Sequence, residues 1–144
     1  MNPVEQAFNG NTDKITTFYR EIADAIWAQL GPGHTEHIYH RAMELELKTR
    51  NMHYESRRPV LIRYLIEGSQ WHVIGQEEID IYDKDNNVII ELKSVAGSSN
   101  KFLNQIHKYH KQIRYEGLNP VMGIVINFPT SGDAVNMSTV PFTR

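Results

Sequence analysis

Ile79-Asp80-Ile81-Tyr82-Asp83-Lys84-Asp85-Asn86-Asn87-Val88-Ile89-Ile90-Glu91-Leu92-Lys93 reads as a β-hairpin. Ile79 to Tyr82 alternates with a period of two, Val88 to Leu92 is β-branched and apolar, and Asp83 to Asn87 between them is rich in turn formers. A one-residue slip moves every side chain to the other face, so the register is the one that keeps each face coherent. Pairing Asp80 with Glu91 sets Ile79 opposite Leu92, Ile81 opposite Ile90 and Asp83 opposite Val88 around a four-residue loop. One face is then almost wholly apolar. The slipped pairing mixes carboxylates into that face.

In the expected register Asp80 and Glu91 are cross-strand neighbours, with Cβ atoms about 5 Å apart, and like charges at that spacing oppose each other. A raised pKa on one carboxylate offsets the repulsion, as does a hard divalent cation taking oxygens from both. Lys93 follows two residues after Glu91 on the same face, roughly 7 Å along the strand. Taken alone, the three residues also describe a solvated hairpin face with Lys93 neutralising its neighbours.

A chain of 144 residues holds one domain with a real core. Residues 1–11, with Pro, Gly and several Asn but no periodicity, read as a flexible N-terminal arm ahead of a single domain over 12–144. Charged residues make up 22% and hydrophobic ones 40%, an ordinary globular balance. No apolar run approaches the roughly 18 residues of a membrane span, and no charged-then-apolar leader opens the chain, so a soluble, intracellular (cytoplasmic or nuclear) protein is expected. The absence of cysteine excludes disulfides, thiolate catalysis and cysteine-ligated clusters, leaving oxygen or imidazole for any metal. The formal charge of -2 means that a nucleic-acid partner needs a local basic face.

Thr12 or Asp13 is the expected cap of a first helix to about Leu30, with Ile15, Phe18, Ile22 and Ile26 as its stripe and Gly31-Pro32-Gly33 as its stop. A second helix runs from Thr35 to about Asn51, and Glu36 falls on its Tyr39/Met43 stripe. A carboxylate there either faces the protein or serves as a first-turn acid on the helix dipole. His53 to Ile66 alternates and is turned back by Glu67-Gly68-Ser69 into Gln70 to Ile74, after which Gly75 and Gln76-Glu77-Glu78 lead into the strand with Asp80. After a loop with a capping serine, a third helix from about Asn100 to Glu116 carries Phe102, Ile106, Tyr109 and Ile113 on one stripe. Gln105 and Tyr109 stack one turn apart, and Lys101, Lys108, Lys111 and Arg114 make this the most basic element. The basic residues fit phosphates, or simply a solvated helix. Val121 to Asn127 is an apolar strand buried on both faces, and Ala134 to Val140 is a candidate edge strand. The order ααβββαβ implies an α/β (mixed α+β) fold, a mixed central sheet flanked by helices.

Gly33-His34-Thr35-Glu36-His37-Ile38-Tyr39 resembles the motif of the GxxExxY proteins, a group within the PD-(D/E)XK nuclease superfamily. The resemblance continues through Gly75 and Asp80, Ile90-Glu91-Leu92-Lys93, Gln105 with Tyr109, and Gly123 to Phe128, covering roughly residues 15 to 128. It implies a restriction-endonuclease-like core and a nuclease, exonuclease-like by the Gln105/Tyr109 pair, which is similar to that of RecB-type and lambda-exonuclease-type enzymes. It further implies that Asp80, Glu91, Glu36 and the Leu92 carbonyl bind magnesium or manganese, and that Lys93 orients the attacking water. The implied partner is DNA, double- or single-stranded, met by Lys101, Lys108, Lys111 and Arg114, with a homodimer or larger assembly left open. His34 and Thr35 depart from the usual apolar positions. The histidines His34, His37 and His40 raise manganese or zinc as alternatives, although no HExxH pattern is present. The competing reading is a catalytically inactive nucleic-acid-binding or assembly protein on the same fold.

Overall fold

A computed structural model describes residues 7–132 and 134–143. Helices α1 (Thr12–Leu30) and α2 (Glu36–Thr49) precede the meander β1 (Tyr54–Leu65), β2 (Trp71–Asp83) and β3 (Val88–Lys93). Helix α3 (Leu103–Ile113) carries a 3-10 turn at each end, Ser99–Phe102 and Arg114–Glu116, and leads to β4 (Met122–Asn127) and β5 (Asn136–Pro141). The candidate edge strand over Ala134 to Val140 is present as β5, shifted to Asn136–Pro141. The cap of α1 is Asn11, whose Oδ1 accepts from the Lys14 amide at 3.1 Å, rather than Thr12 or Asp13. Residues 1–6 of the expected arm lie outside the described residues. Phe8 donates its amide to Asn86 Oδ1 at 2.8 Å and sets its ring 5.5 Å from that of Phe18.

The strands lie side by side in chain order, β1-β2-β3-β4-β5. All neighbours are antiparallel except β3 and β4, which α3 joins as a parallel crossover. Every residue of β4 is buried, as its unbroken apolar sequence demands. One face of the sheet packs Ile81, Ile90, Leu92, Ile124 and Ile126 against α1 and α2. The other packs Val60, Ile79, Ile89 and Val125 against Ile106, Tyr109 and Ile113 of α3. Three layers result. Helix α3 sits so close to β4 that a Cβ on Gly123 would fall 2.2 Å from Ile106 Cγ2, which is why glycine stands there. Among the described residues no helix is long and apolar enough to cross a membrane.

The β2–β3 register is Ile81 with Ile90, Tyr82 with Ile89 and Asp83 with Val88, as the hairpin pattern predicts, and there the ladder ends. Asp80 and Glu91 do not pair as strand residues, and Ile79 does not face Leu92. Instead β2 changes face: Ile79 packs toward α3 whereas Ile81, two residues on, packs toward α1 and α2. The neighbouring strand is irregular at the same level. Arg57, opposite Asp80, has φ +52°, a left-handed conformation within a strand, and the β1–β2 pairing skips that pair between Ser56/Ile81 and Arg58/Ile79.

Candidate active site

Where β2 and β3 part, their acids replace the missing ladder bonds. The Asp80 amide donates to Glu91 Oε1 at 3.0 Å, and the Leu92 amide donates to Asp80 Oδ2 at 2.8 Å. Each carboxylate is therefore aimed by the other strand's backbone. In an extended strand the N–H and C=O of one residue point the same way, so the Leu92 carbonyl also faces β2. Glu91 is only 2% exposed. Burial and then the Asp80 charge push its carboxyl up to about 9, against the smaller opposing pull of the Asp80 amide and Lys93. Two acids this close, one of them deprived of water, form a pair that either shares a proton or takes a cation.

Lys93 follows Glu91 on the same side of β3, with Nζ 4.8 Å from the centre of the Phe102 ring. Its neighbour across the parallel ladder is Asn127. That buried side chain clamps the loop after Lys93, accepting from the Val95 amide at 3.0 Å and donating to the Val95 and Gly97 carbonyls at 3.0 and 3.1 Å. Asn127 ended an apolar run in the sequence and offered no further signal. On α3, Gln105 donates to the Tyr109 hydroxyl at 2.8 Å. Burial, and then the Glu91 charge, hold the Tyr109 phenol well above its usual range.

Glu36 is exposed rather than set on the buried stripe, because Tyr39 takes the inward position of the first turn of α2. It still borders a cleft of ≈ 230 Å³ with His37, His40, Arg57 and Asp80. Desolvation raises its carboxyl, with Lys93 acting in the opposite sense and Asp80 in the same. Tyr39 explains the rest of its motif. Its ring stacks on Phe128 at 4.4 Å, and its hydroxyl donates to the Gly31 carbonyl at 2.6 Å, fixing the turn from which Glu36 enters the helix.

Of the three histidines, His37 and His40 line this cleft and His34 does not, and each keeps a different partner. His34 Nε2 lies 3.2 Å from the Leu30 carbonyl, His37 Nδ1 meets Arg57 Nη2 at 3.3 Å, and His40 Nε2 meets Ser56 Oγ at 2.9 Å. Burial lowers the His40 pKa, against the opposite pull of the Asp80 and Glu44 charges. Among the described residues no three His, Asp or Glu side chains converge as a ready metal cage. The donor set that does converge is the Asp80/Glu91 pair, whose oxygen-only chemistry fits a hard divalent ion with water completing its shell. Arg57 is the residue that the sequence reading missed. It lines the acid cleft, and among the described residues no carboxylate lies within ion-pair distance of it.

Of the basic set, Lys101 donates to the Ala96 carbonyl at 2.9 Å and Lys108 pairs with Glu77 at 2.9 Å. Lys111 and Arg114 border a groove at the far end of α3.

A family model described as the PD-(D/E)XK nuclease superfamily matches residues 13–138. No curated protein matches the chain. Among solved structures, the crystal structure of SSO0001 is 22% identical, with a TM-score of 0.47, over 74% of this chain and 50% of the other. The chain thus spans about half the length of that protein.

Proposed function

This chain belongs to the PD-(D/E)XK nuclease superfamily, and from that membership we propose that it is a magnesium- or manganese-dependent nuclease hydrolysing DNA phosphodiester bonds. The observation that carries the reading is the mutually braced pair Asp80 and Glu91, with Lys93 at the next position on the same face. In this reading residues 12–144 form one domain, and the resemblance of Gly33, Glu36 and Tyr39 to the GxxExxY motif supports membership of that group within the superfamily.

Asp80, Glu91 and the Leu92 carbonyl would hold the ion, with Glu36 beside them. When bound, the ion supplies Lewis acidity toward the phosphoryl oxygen and lowers the pKa of water. The protein's own groups do the remainder. Lys93 Nζ orients the attacking water and offsets charge on the phosphate. The Arg57 guanidinium, with no carboxylate among the described residues to neutralise it, meets a non-bridging phosphate oxygen at the cleft. Gln105 fixes the Tyr109 hydroxyl, which stays a neutral donor beside Glu91 and positions the strand. Lys111 and Arg114 contact backbone phosphates farther along, whereas Lys101 and Lys108 first have to leave their present partners.

The test uses purified protein with magnesium or manganese on linear, nicked, circular and single-stranded DNA, beside Asp80→Ala and Lys93→Ala. Cleavage by wild type alone is expected, and loss of activity on the circular form marks dependence on strand ends. If all three proteins behave alike, the nuclease reading is wrong and a binding or assembly role takes its place.

A further inference from the structure

Strands β1 and β2 outrun the rest of the sheet. Their ladder continues to Leu65 and Trp71, while β2 leaves β3 at Ile81, so the outer half stands as a two-stranded arm. Most of the exposed large apolar side chains among the described residues sit on it. A soluble ribbon has no need of such a surface unless something covers it.

The far end of α3 meets this arm. Gln112 Oε1 accepts from the Arg63 amide at 3.2 Å. The Trp71 and Tyr115 rings lie 5.1 Å apart, tilted by 54°, and the Arg63 guanidinium sits 5.8 Å from the Tyr115 centroid. Both rings remain half exposed, at 50% and 49%. Beside them runs a groove of ≈ 500 Å³ lined by His110, Lys111, Arg114 and Tyr115.

Charge decides what this surface takes. Lys108 and Arg58, nearer the centre of the fold, are neutralised by Glu77 and Glu116. Among the described residues, Arg63, Lys111 and Arg114 have no carboxylate within ion-pair distance. An apolar protein partner would have to desolvate three unpaired cations, which is costly. A polyanion with flat apolar faces meets both features at once. Bases stack on half-exposed aromatic rings and phosphates replace counterions on the cations.

We propose that Trp71, Tyr115 and Arg63, with Lys111 and Arg114 alongside, form a docking surface for single-stranded DNA that leads an unpaired strand to the carboxylates. Tyr109, the neighbour of Glu91, precedes Tyr115 by six positions, along α3 and into the 3-10 turn that follows it, roughly 10 Å of axial rise. The inference rests on the nuclease reading for its choice of polymer, while the surface itself rests on the rings and the cations.

The experiment is fluorescence anisotropy with a short labelled oligothymidylate and the matching duplex, with calcium as the divalent ion, beside cleavage assays in magnesium. Trp71→Ala and Tyr115→Ala should each weaken single-strand binding roughly 5- to 150-fold, and Trp71→Phe should retain it. Lys111→Ala should flatten the salt dependence by about 0.7 in log–log slope. Unchanged binding by Trp71→Ala overturns the proposal, as does tighter binding of duplex than of single strand. So does a wild-type dimer that Trp71→Ala splits without touching DNA affinity, which would make the surface a contact between copies. A wild type that binds through Trp71 but does not cut removes the nuclease reading alone. A wild type that cuts, with Trp71→Ala binding and cutting equally well, removes the docking surface alone.

Discussion

The Asp80 amide is held by the Glu91 carboxylate at 3.0 Å, at the point where the two strands cease to pair. A glutamate committed to a backbone donor stays in place even when burial disfavours its charge, which leaves a proton as the means of relief.

The folded Glu91 carboxyl is pushed up to about 9 by burial and the Asp80 charge, against about 4.3 in an unfolded chain. Between those values the native state holds a proton that the unfolded state has released. Metal-free protein should therefore lose stability as pH rises through that window, by at most about 1.4 kcal/mol per pH unit. Urea midpoints across the range should fall for wild type and flatten for Glu91→Gln. Equal slopes would show that Glu91 titrates normally.

Arg57 spends backbone energy at φ +52°, roughly 1–2 kcal/mol for a non-glycine residue. Arg57→Gly should relieve that strain and raise the melting temperature, while losing the guanidinium and at least tenfold in DNA cleavage. Calorimetry and initial rates on the same preparation test the opposition. A glycine variant both less stable and fully active would contradict it.

Gly123 leaves no room for a side chain, since a Cβ would lie 2.2 Å from Ile106 Cγ2. Gly123→Ala should cost about 1–3 kcal/mol by overpacking and displace α3, with Gln105 and Tyr109 on it. Ile106→Ala removes the clashing methyl at about 2–5 kcal/mol of its own. The double variant should lose clearly less than the sum of the singles in urea denaturation.

The Tyr19 hydroxyl donates to Asp83 Oδ2 at 2.6 Å with both residues fully buried, and Asp83 also accepts from the Asn86 amide and side chain at 2.9 Å. Tyr19→Phe deletes a bond to a buried acid whose pKa burial already raises, and should cost about 1.5–3 kcal/mol. An unchanged urea midpoint would mean that Asp83 is satisfied without it.

The hairpin was legible because period-two alternation and a turn-rich spacer constrain register strongly, and the pairs Ile81/Ile90 and Asp83/Val88 follow from it. The end of the ladder at Asp80 was not. Carboxylates competing for backbone amides leave no periodic trace, and neither does an arginine in a left-handed conformation. Glu36 satisfied helical spacing with Tyr39 and Met43, yet a first-turn residue has no preceding turn to hold it inward. The GxxExxY-like pattern located Tyr39 without its reason, which is a stacking partner, Phe128, some ninety positions away. Trp71 and Tyr115 are likewise joined only by tertiary packing.

The parallel ladder between β3 and β4 has a consequence for the order in which the chain is built. Glu36, Asp80, Glu91 and Lys93 have all been synthesised by position 93, but the outer neighbour of β3 is Met122–Asn127. Until that segment arrives, the strand carrying Glu91 has one open edge, and the loop after Lys93 lacks the Asn127 clamp. The acids come first along the ribosome's output, and the burial that couples them comes last.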